Sequence, residues 1–205
     1  MTAATPNELV GIVLANPAIR AIWDNWGSLH LRDCWLVAGC LAQTVWNHRF
    51  GLPAQNGISD IDLVYFDPDD LSAASEQDHA SRLHRQFPGL GAWLDVKNEA
   101  RVHLWYEAKF GFAIPPYRSV ADAIDTFPTT ATTIGLRPGS GRGLEDLLAG
   151  VVRPNKRLIT RDIYEAKVAR WVGLWPRLKV VAWDAALDPA AAGGQAVRLL
   201  PWRQG

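Results

Sequence analysis

The sequence predicts an α/β (α+β) domain in which short strands alternate with helices, and further helices follow at the C-terminal end. Three features carry this reading. Two helix-start signals stand near the beginning, at Thr5-Pro6 and Asn16-Pro17. An apolar run, Trp35-Leu36-Val37-Ala38, ends at Gly39 and passes at once into a helical pattern. A second run, Ile61–Phe66, is rich in strand formers and is closed by Asp67-Pro68-Asp69-Asp70.

Thr5 caps the first helix, Pro6 sits where its missing N–H costs nothing, and Glu8 completes a capping box. Asn16-Pro17 repeats the signal, so a second helix runs to about Trp26. After the strand at 35–38, Leu41, Val45, Trp46 and Phe50 share one helical face, and Gly51-Leu52-Pro53 ends that helix. Residues 72–86 read as a helix, and Trp93–Lys97 and Arg101–Tyr106 as strands joined by Asn98-Glu99-Ala100. Ser119 caps a helix through Phe127, Ala131–Leu136 reads as a strand, and Gly139–Gly143 as a mobile loop. Thr160–Trp175 is a helix with Ile163, Tyr164, Val168, Trp171 and Trp175 on its apolar side.

The 205 residues, 48% hydrophobic and 20% charged, suit one domain with a buried core. The expected organisation is a single domain over residues 1–184, with a core at about 28–136, a basic helical segment at about 137–184 and a disordered tail at 185–205. Ten tryptophans point to a Trp-rich core. Cys34 and Cys40 are too few for a disulfide framework or a zinc site and read as free thiols. The start lacks a secretory pattern, and no apolar run approaches the roughly 20 residues a membrane helix needs. A cytoplasmic protein with no membrane partner is expected. Residues 1–136 hold 9 basic and 15 acidic residues, whereas 137–179 hold 10 and 4. The acidic part suits metal ions and the basic segment suits phosphates or nucleic acid, unless the two simply pair across the fold.

The informative stretch is Ser59-Asp60-Ile61-Asp62-Leu63-Val64-Tyr65-Phe66. On a strand, side chains two apart share a face, so Asp60 and Asp62 project together. Two carboxylates held so close repel unless a cation lies between them, and Mg²⁺ suits carboxylates that share it with substrate phosphates. For an isolated pair of this spacing, capping or plain solvation is the better explanation, because the pattern is short and common. Upstream, Gly39 and Cys40 open a helix whose free N–H groups favour an anion. Downstream, Leu94-Asp95-Val96 sets a third carboxylate on another strand, with Lys97 on the same face and Arg101 beyond the turn. A phosphatase of the haloacid-dehalogenase type would have its aspartates after an apolar strand; here the apolar run follows the pair.

Val37-Ala38-Gly39-Cys40, Asp60-Ile61-Asp62-Leu63 and Leu94-Asp95-Val96 together resemble the hG[GS]…hDhDh…hDh signature of the polymerase-β-like nucleotidyltransferase superfamily. The longer blocks Ala38–Asn47, Ser59–Phe66 and Asp95–Tyr106, with Pro116–Val120, Asp122–Ile124 and Arg153–Asn155, resemble one bacterial nucleotidyltransferase-like family, formerly a domain of unknown function. The likeness covers roughly residues 8–180. It implies a nucleotidyltransferase fold, a mixed β-sheet flanked by helices. It also implies an enzyme that moves a nucleoside monophosphate from an NTP to a hydroxyl acceptor and releases pyrophosphate. Asp60, Asp62 and Asp95 would be the catalytic, metal-holding residues for Mg²⁺ or Mn²⁺, and Gly39, Cys40, Lys97 and Arg101 would bind the NTP. Cys40 departs from the usual Gly or Ser, and the stretch from Cys40 to Asp60 is longer than usual. The alternative is a non-catalytic nucleotide- or RNA-binding protein on the same fold, working through residues 137–179. The sequence names neither the acceptor nor the oligomeric state.

Overall fold

The computed structural model of the chain describes residues 6–142, 147, 150–186 and 200–201. The chain opens with helices α1 (Pro6–Leu14) and α2 (Pro17–Asp24). Asn16 caps α2 by accepting the Ala18 N–H at 3.0 Å, as its place before Pro17 predicts; Thr5 lies outside the described residues. Strand β1 (Trp35–Val37) leads into α3 (Gly39–Phe50), and Gly51 ends that helix with a φ of 70°. There follow β2 (Asp60–Tyr65), α4 (Ala73–Gln86, capped by Ser72) and β3 (Trp93–Asn98). The later elements are α5 (His103–Phe110), α6 (Val120–Ile124), β4 (Gly135–Arg137), β5 (Ser140–Arg142), β6 (Val151–Val152), α7 (Arg161–Leu174), β7 (Lys179–Val180) and β8 (Leu200–Pro201).

Six strands form one mixed sheet in the order β3-β2-β1-β4-β5-β8. Within this sheet only β2 and β3 pair in parallel; their crossover runs through α4, while β1 is antiparallel to both β2 and β4, and β6 and β7 form a separate parallel pair. One sheet face carries Leu36, Ile61, Leu63, Leu94 and Val96 into the main core, where they meet α1, α2, α3 and α4. On the other face Asp60 and Asp62 alternate with these apolar residues, and Val37, Val64 and Trp35 pack with Val120 and Ile124 of α6.

The late helix α7 closes over this frame because its apolar side meets α3. The Trp46 ring lies edge-on to Trp171 at 5.2 Å and to Trp175 at 5.4 Å, and all three are fully buried. Asn47 ties the same junction. Its Oδ1 accepts the Trp175 indole N–H at 2.7 Å, and its Nδ2 donates to Ala54 and Asn56 carbonyls at 3.1 and 2.9 Å. Those partners belong to the turn before β2, so one buried amide links α3, α7 and the approach to Asp60.

Several expected elements differ. Arg101–Tyr106 is not a strand. The Asn98 side chain accepts from the N–H groups of Asp67 and Ala100 and donates to the carbonyls of Asp67 and Asp70, so the chain turns through a 3₁₀ segment at Glu99–Arg101 into α5. The expected loop at 139–143 contains β5, which folds back on β4; Gly143 lies outside the described residues. The expected strand at 131–136 begins as a 3₁₀ turn at Thr130–Thr132 and becomes strand only at Gly135. The helix capped by Ser119 stops at Ile124 rather than Phe127. Most of the expected tail lies outside the described residues; Trp183–Ala185 form a 3₁₀ turn and Leu200–Pro201 pair with Ser140–Gly141.

Candidate active site

A cavity of about 200 Å³ opens on the carboxylate face of the sheet. Asp60 and Asp62 line it from β2, Lys97 and Glu99 from β3 and the turn after it, and Gly39 and Gln43 from α3. Lys167, Arg170 and Trp171 line it from α7, opposite the sheet.

Ala38 makes the junction between β1 and α3 with φ 59° and ψ −130°. A residue with a Cβ adopts such a backbone at a cost on the order of 1–3 kcal/mol, and such strain concentrates at functional sites. Here it turns the chain within one residue and brings the first turn of α3 beside β2, where the Gly39 N–H donates to the Asp62 carboxylate. A Cβ on Gly39 would meet Nε2 of Gln43 at 3.3 Å, so glycine lets Gln43 fold back over the helix start. The Cys40 side chain points the other way. It is buried in the core, donates to the Val37 carbonyl at 3.4 Å, and burial pushes its thiol pKa up. Only its backbone N–H is left to serve the site.

Asp60 is half-buried and accepts from the Ser59 hydroxyl at 2.6 Å. Burial, then Asp60, then Asp95 push the Asp62 carboxyl up to about 7, while Lys167 and the Gly39 N–H oppose them. Asp95 is the β3 neighbour of Asp62 in register and so shares its face. Yet Asp95 forms an ion pair with Lys97 at 3.1 Å and stands outside the cavity lining. Arg101 is not brought to the site: its guanidinium pairs with Glu76 at 2.7 Å and donates to the Leu71 carbonyl. The structure therefore gathers Gly39, Asp60, Asp62 and Lys97 at the cavity, with Asp95 beside them, and leaves Arg101 apart.

Four cavity residues escaped the sequence reading. Lys167 and Arg170 lie on the same stripe of α7 as Ile163, Tyr164 and Trp171. A cation on an apolar helix face is the signal that would have found them. Burial lowers the Lys167 pKa and the neighbouring Arg170 adds to this, while Asp62 and Asp60 pull it up. Gln43 is buried in α3, and among the described residues its Oε1 has no hydrogen-bond partner; the same holds for Nε1 of Trp171. Glu99 is 7% exposed and follows Asp95 and Lys97 at a spacing of two. Burial, then Asp62, Glu76 and Asp95, push its carboxyl up to about 8.

Among the described residues no three His, Cys, Asp or Glu side chains lie close enough together to hold a metal. The donor set nonetheless fits a hard divalent cation that is completed by substrate phosphates: two half-buried carboxylates with mutual repulsion, and Mg²⁺ commonly uses one or two carboxylates in this way. Much of the basic surface at 137–179 is paired within the fold. Arg137 meets Asp33, Arg161 meets Asp184 and Glu165, and Arg177 donates to the Phe50 carbonyl. No helix among the described residues is long and apolar enough to cross a membrane.

A family model described as Nucleotidyltransferase matches residues 24–180, which include every cavity residue named above. The chain belongs to this nucleotidyltransferase family. It is thus a member of an enzyme family, and its fold agrees. A solved NMR structure described as a CCA-adding enzyme head domain matches with a TM-score of 0.70 and 24% identity, covering 87% of this chain and 96% of that one. A second structure, a tRNA-processing enzyme in an apo form, matches with a TM-score of 0.44 and 15% identity, covering 88% of this chain and 46% of that one. No curated protein matches. The first likeness shows that this nucleotidyltransferase shares the head-domain fold.

Proposed function

We propose that the protein is a divalent-metal-dependent enzyme that transfers a nucleoside monophosphate from an NTP to a hydroxyl acceptor. The observation that carries this reading is the facing of unlike charges: Asp60 and Asp62 on the sheet look across one cavity at Lys167 and Arg170 on α7. Mg²⁺ held by Asp60 and Asp62 would supply charge neutralisation to the triphosphate and to the attacking oxygen. Lys167 and Arg170 hold the β- and γ-phosphates from the opposite wall, and the start of α3 offers the Cys40 N–H, while the Gly39 N–H holds the Asp62 carboxylate in place. The acceptor hydroxyl releases its proton to solvent, its oxygen bonds to the α-phosphorus, the bond from that phosphorus to the bridging α–β oxygen breaks, and pyrophosphate leaves. Lys97 balances Asp95 and so limits the negative charge facing the substrate.

The test is a melting experiment. Mg²⁺ plus an NTP raises the melting temperature, and Asp60→Asn with Asp62→Asn removes the gain. No shift with any of the four NTPs, in Mg²⁺ or Mn²⁺, rejects the proposal. A non-catalytic RNA-binding protein on the same fold would instead keep salt-sensitive RNA affinity in that double variant.

A further inference from the structure

Nucleotidyl transfer as proposed above leaves one buried carboxyl of the cavity without work. The Glu99 carboxyl is 7% exposed, lines the cavity, and accepts no hydrogen bond or ion pair among the described residues. A buried carboxyl without a partner costs free energy unless something else satisfies it.

Its position in the sheet says what that partner is. In the parallel pair, Asp62 lies opposite Asp95 and Tyr65 opposite Asn98. Glu99 therefore stands four residues beyond Asp62 along the strand direction, roughly 13 Å at the backbone. β1 runs the other way, with Val37 opposite Asp62, so Gly39 and the start of α3 lie toward the Asp60 end. The electrostatics agree: Lys167 feels Asp62 and Asp60, whereas the cation felt by Glu99 is Lys97. The aspartate pair thus divides the cavity. One end has helix N–H groups and the α7 cations. The other has Glu99, with Val64 two residues beyond Asp62 toward it, and Phe127 and Pro128 add apolar lining to the same cavity.

In-line displacement needs the attacking oxygen and the leaving pyrophosphate on opposite sides of the α-phosphorus. With the phosphates at the α3–α7 end, the acceptor enters at the Glu99 end. An acceptor with a single hydroxyl would spend it on the attack and leave Glu99 unpartnered in the complex. We propose that the Glu99 end of the cavity is the acceptor subsite and takes a terminal vicinal diol, one hydroxyl attacking while its neighbour hydrogen-bonds Glu99. Val64, Phe127 and Pro128 pack against the carbon face of the diol-bearing ring. The assignment rests on the nucleotidyltransferase reading. Such a diol comes from a free sugar or from the 3′-terminal ribose of an RNA.

The experiment uses α-labelled NTPs, Mg²⁺ and two probes, methyl β-ribofuranoside and a short oligoribonucleotide, each beside its terminal 2′-deoxy counterpart. Label passes to at least one ribose probe, and about tenfold or more slowly to its deoxy partner, because a lost hydrogen bond at a buried acid is discriminated at least that strongly. Glu99→Gln keeps kcat/KM for the diol within about threefold, since an amide still bonds a hydroxyl. Glu99→Leu raises the KM for the diol about tenfold or more while the Mg²⁺–NTP melting shift stays at the wild-type value. The deoxy comparison needs no variant, so a misfolded Glu99→Leu leaves the assignment open to refutation. Equal labelling of ribose and deoxy probes overturns it. So does a Glu99→Leu variant that folds and keeps the wild-type KM, or labelling of no diol probe by a protein that still shows the Mg²⁺–NTP shift. Absence of that shift in the wild type overturns the nucleotidyltransferase reading instead.

Discussion

The two walls of the cavity differ in how they are built. The sheet wall comes from strands β1, β2 and β3 and the start of α3, all between residues 35 and 99, and strand alternation alone sets the direction of Asp60 and Asp62. The α7 wall comes from Lys167, Arg170 and Trp171, which begin 68 residues after Glu99, and is held in place by the burial of Trp46, Trp171 and Trp175 and by the Asn47 bridge. One wall holds repelling carboxylates on a rigid frame. The other brings cations to them through a hydrophobic dock. The difference teaches that this site is complete only when the core is complete. The charges of the sheet wall are a local property, and their compensation is a tertiary one.

The comparison can be broken most severely at the sheet wall. On the proposed mechanism Asp62→Asn lowers kcat for NTP transfer by about 10⁴-fold, while circular dichroism shows the fold retained. Next in size is the dock. Trp46→Ala removes a fully buried indole and lowers stability by about 3–5 kcal/mol in urea unfolding. It also reduces the Mg²⁺–NTP shift, because α7 loses its seat.

The repulsion itself has a pH signature. The folded-state values of Asp62, about 7, and Glu99, about 8, lie above the ordinary 3.8 and 4.5. In this window the unfolded chain releases protons that the folded chain retains. Stability of the metal-free protein therefore falls as pH rises from about 4 to about 8. Asp62→Asn removes the part between about 4 and 7, read as the urea midpoint across pH; a flat wild-type profile would contradict it. A smaller effect belongs to the α7 wall. Lys167→Ala raises the NTP KM about 10- to 100-fold, on the order of 1.4–2.7 kcal/mol, with kcat less affected. Smallest of all, Arg101→Ala leaves the NTP KM within about twofold, since its partner is Glu76 rather than phosphate.

The sheet wall was legible because its signals are short-range. A period of two places Asp60 and Asp62 together, and a glycine after an apolar run marks the turn into α3. Arg101 was misplaced for a reason equally physical. Val102–Tyr106 has the composition of a strand, and only the Asn98 side chain, bonded to the Asp67 and Asp70 backbone, turns it into a helix. The Gly139–Gly143 stretch looked loop-like by composition, yet Ser140–Arg142 found partners on β4.

By itself the sequence determined the carboxylate pair, the β1–α3 turn that presents Gly39, the order of strands and helices through residue 99, and the family to which these belong. Neighbours along the chain carry all of that information in their periodicity. Only the tertiary structure decided that Asp95 is held by Lys97 outside the cavity, that Glu99 is buried within it, and that Lys167 and Arg170 complete it. Each of these depends on which distant surface a side chain meets. For α7 that surface is set by the packing of three tryptophans and one asparagine, which no spacing in the sequence encodes.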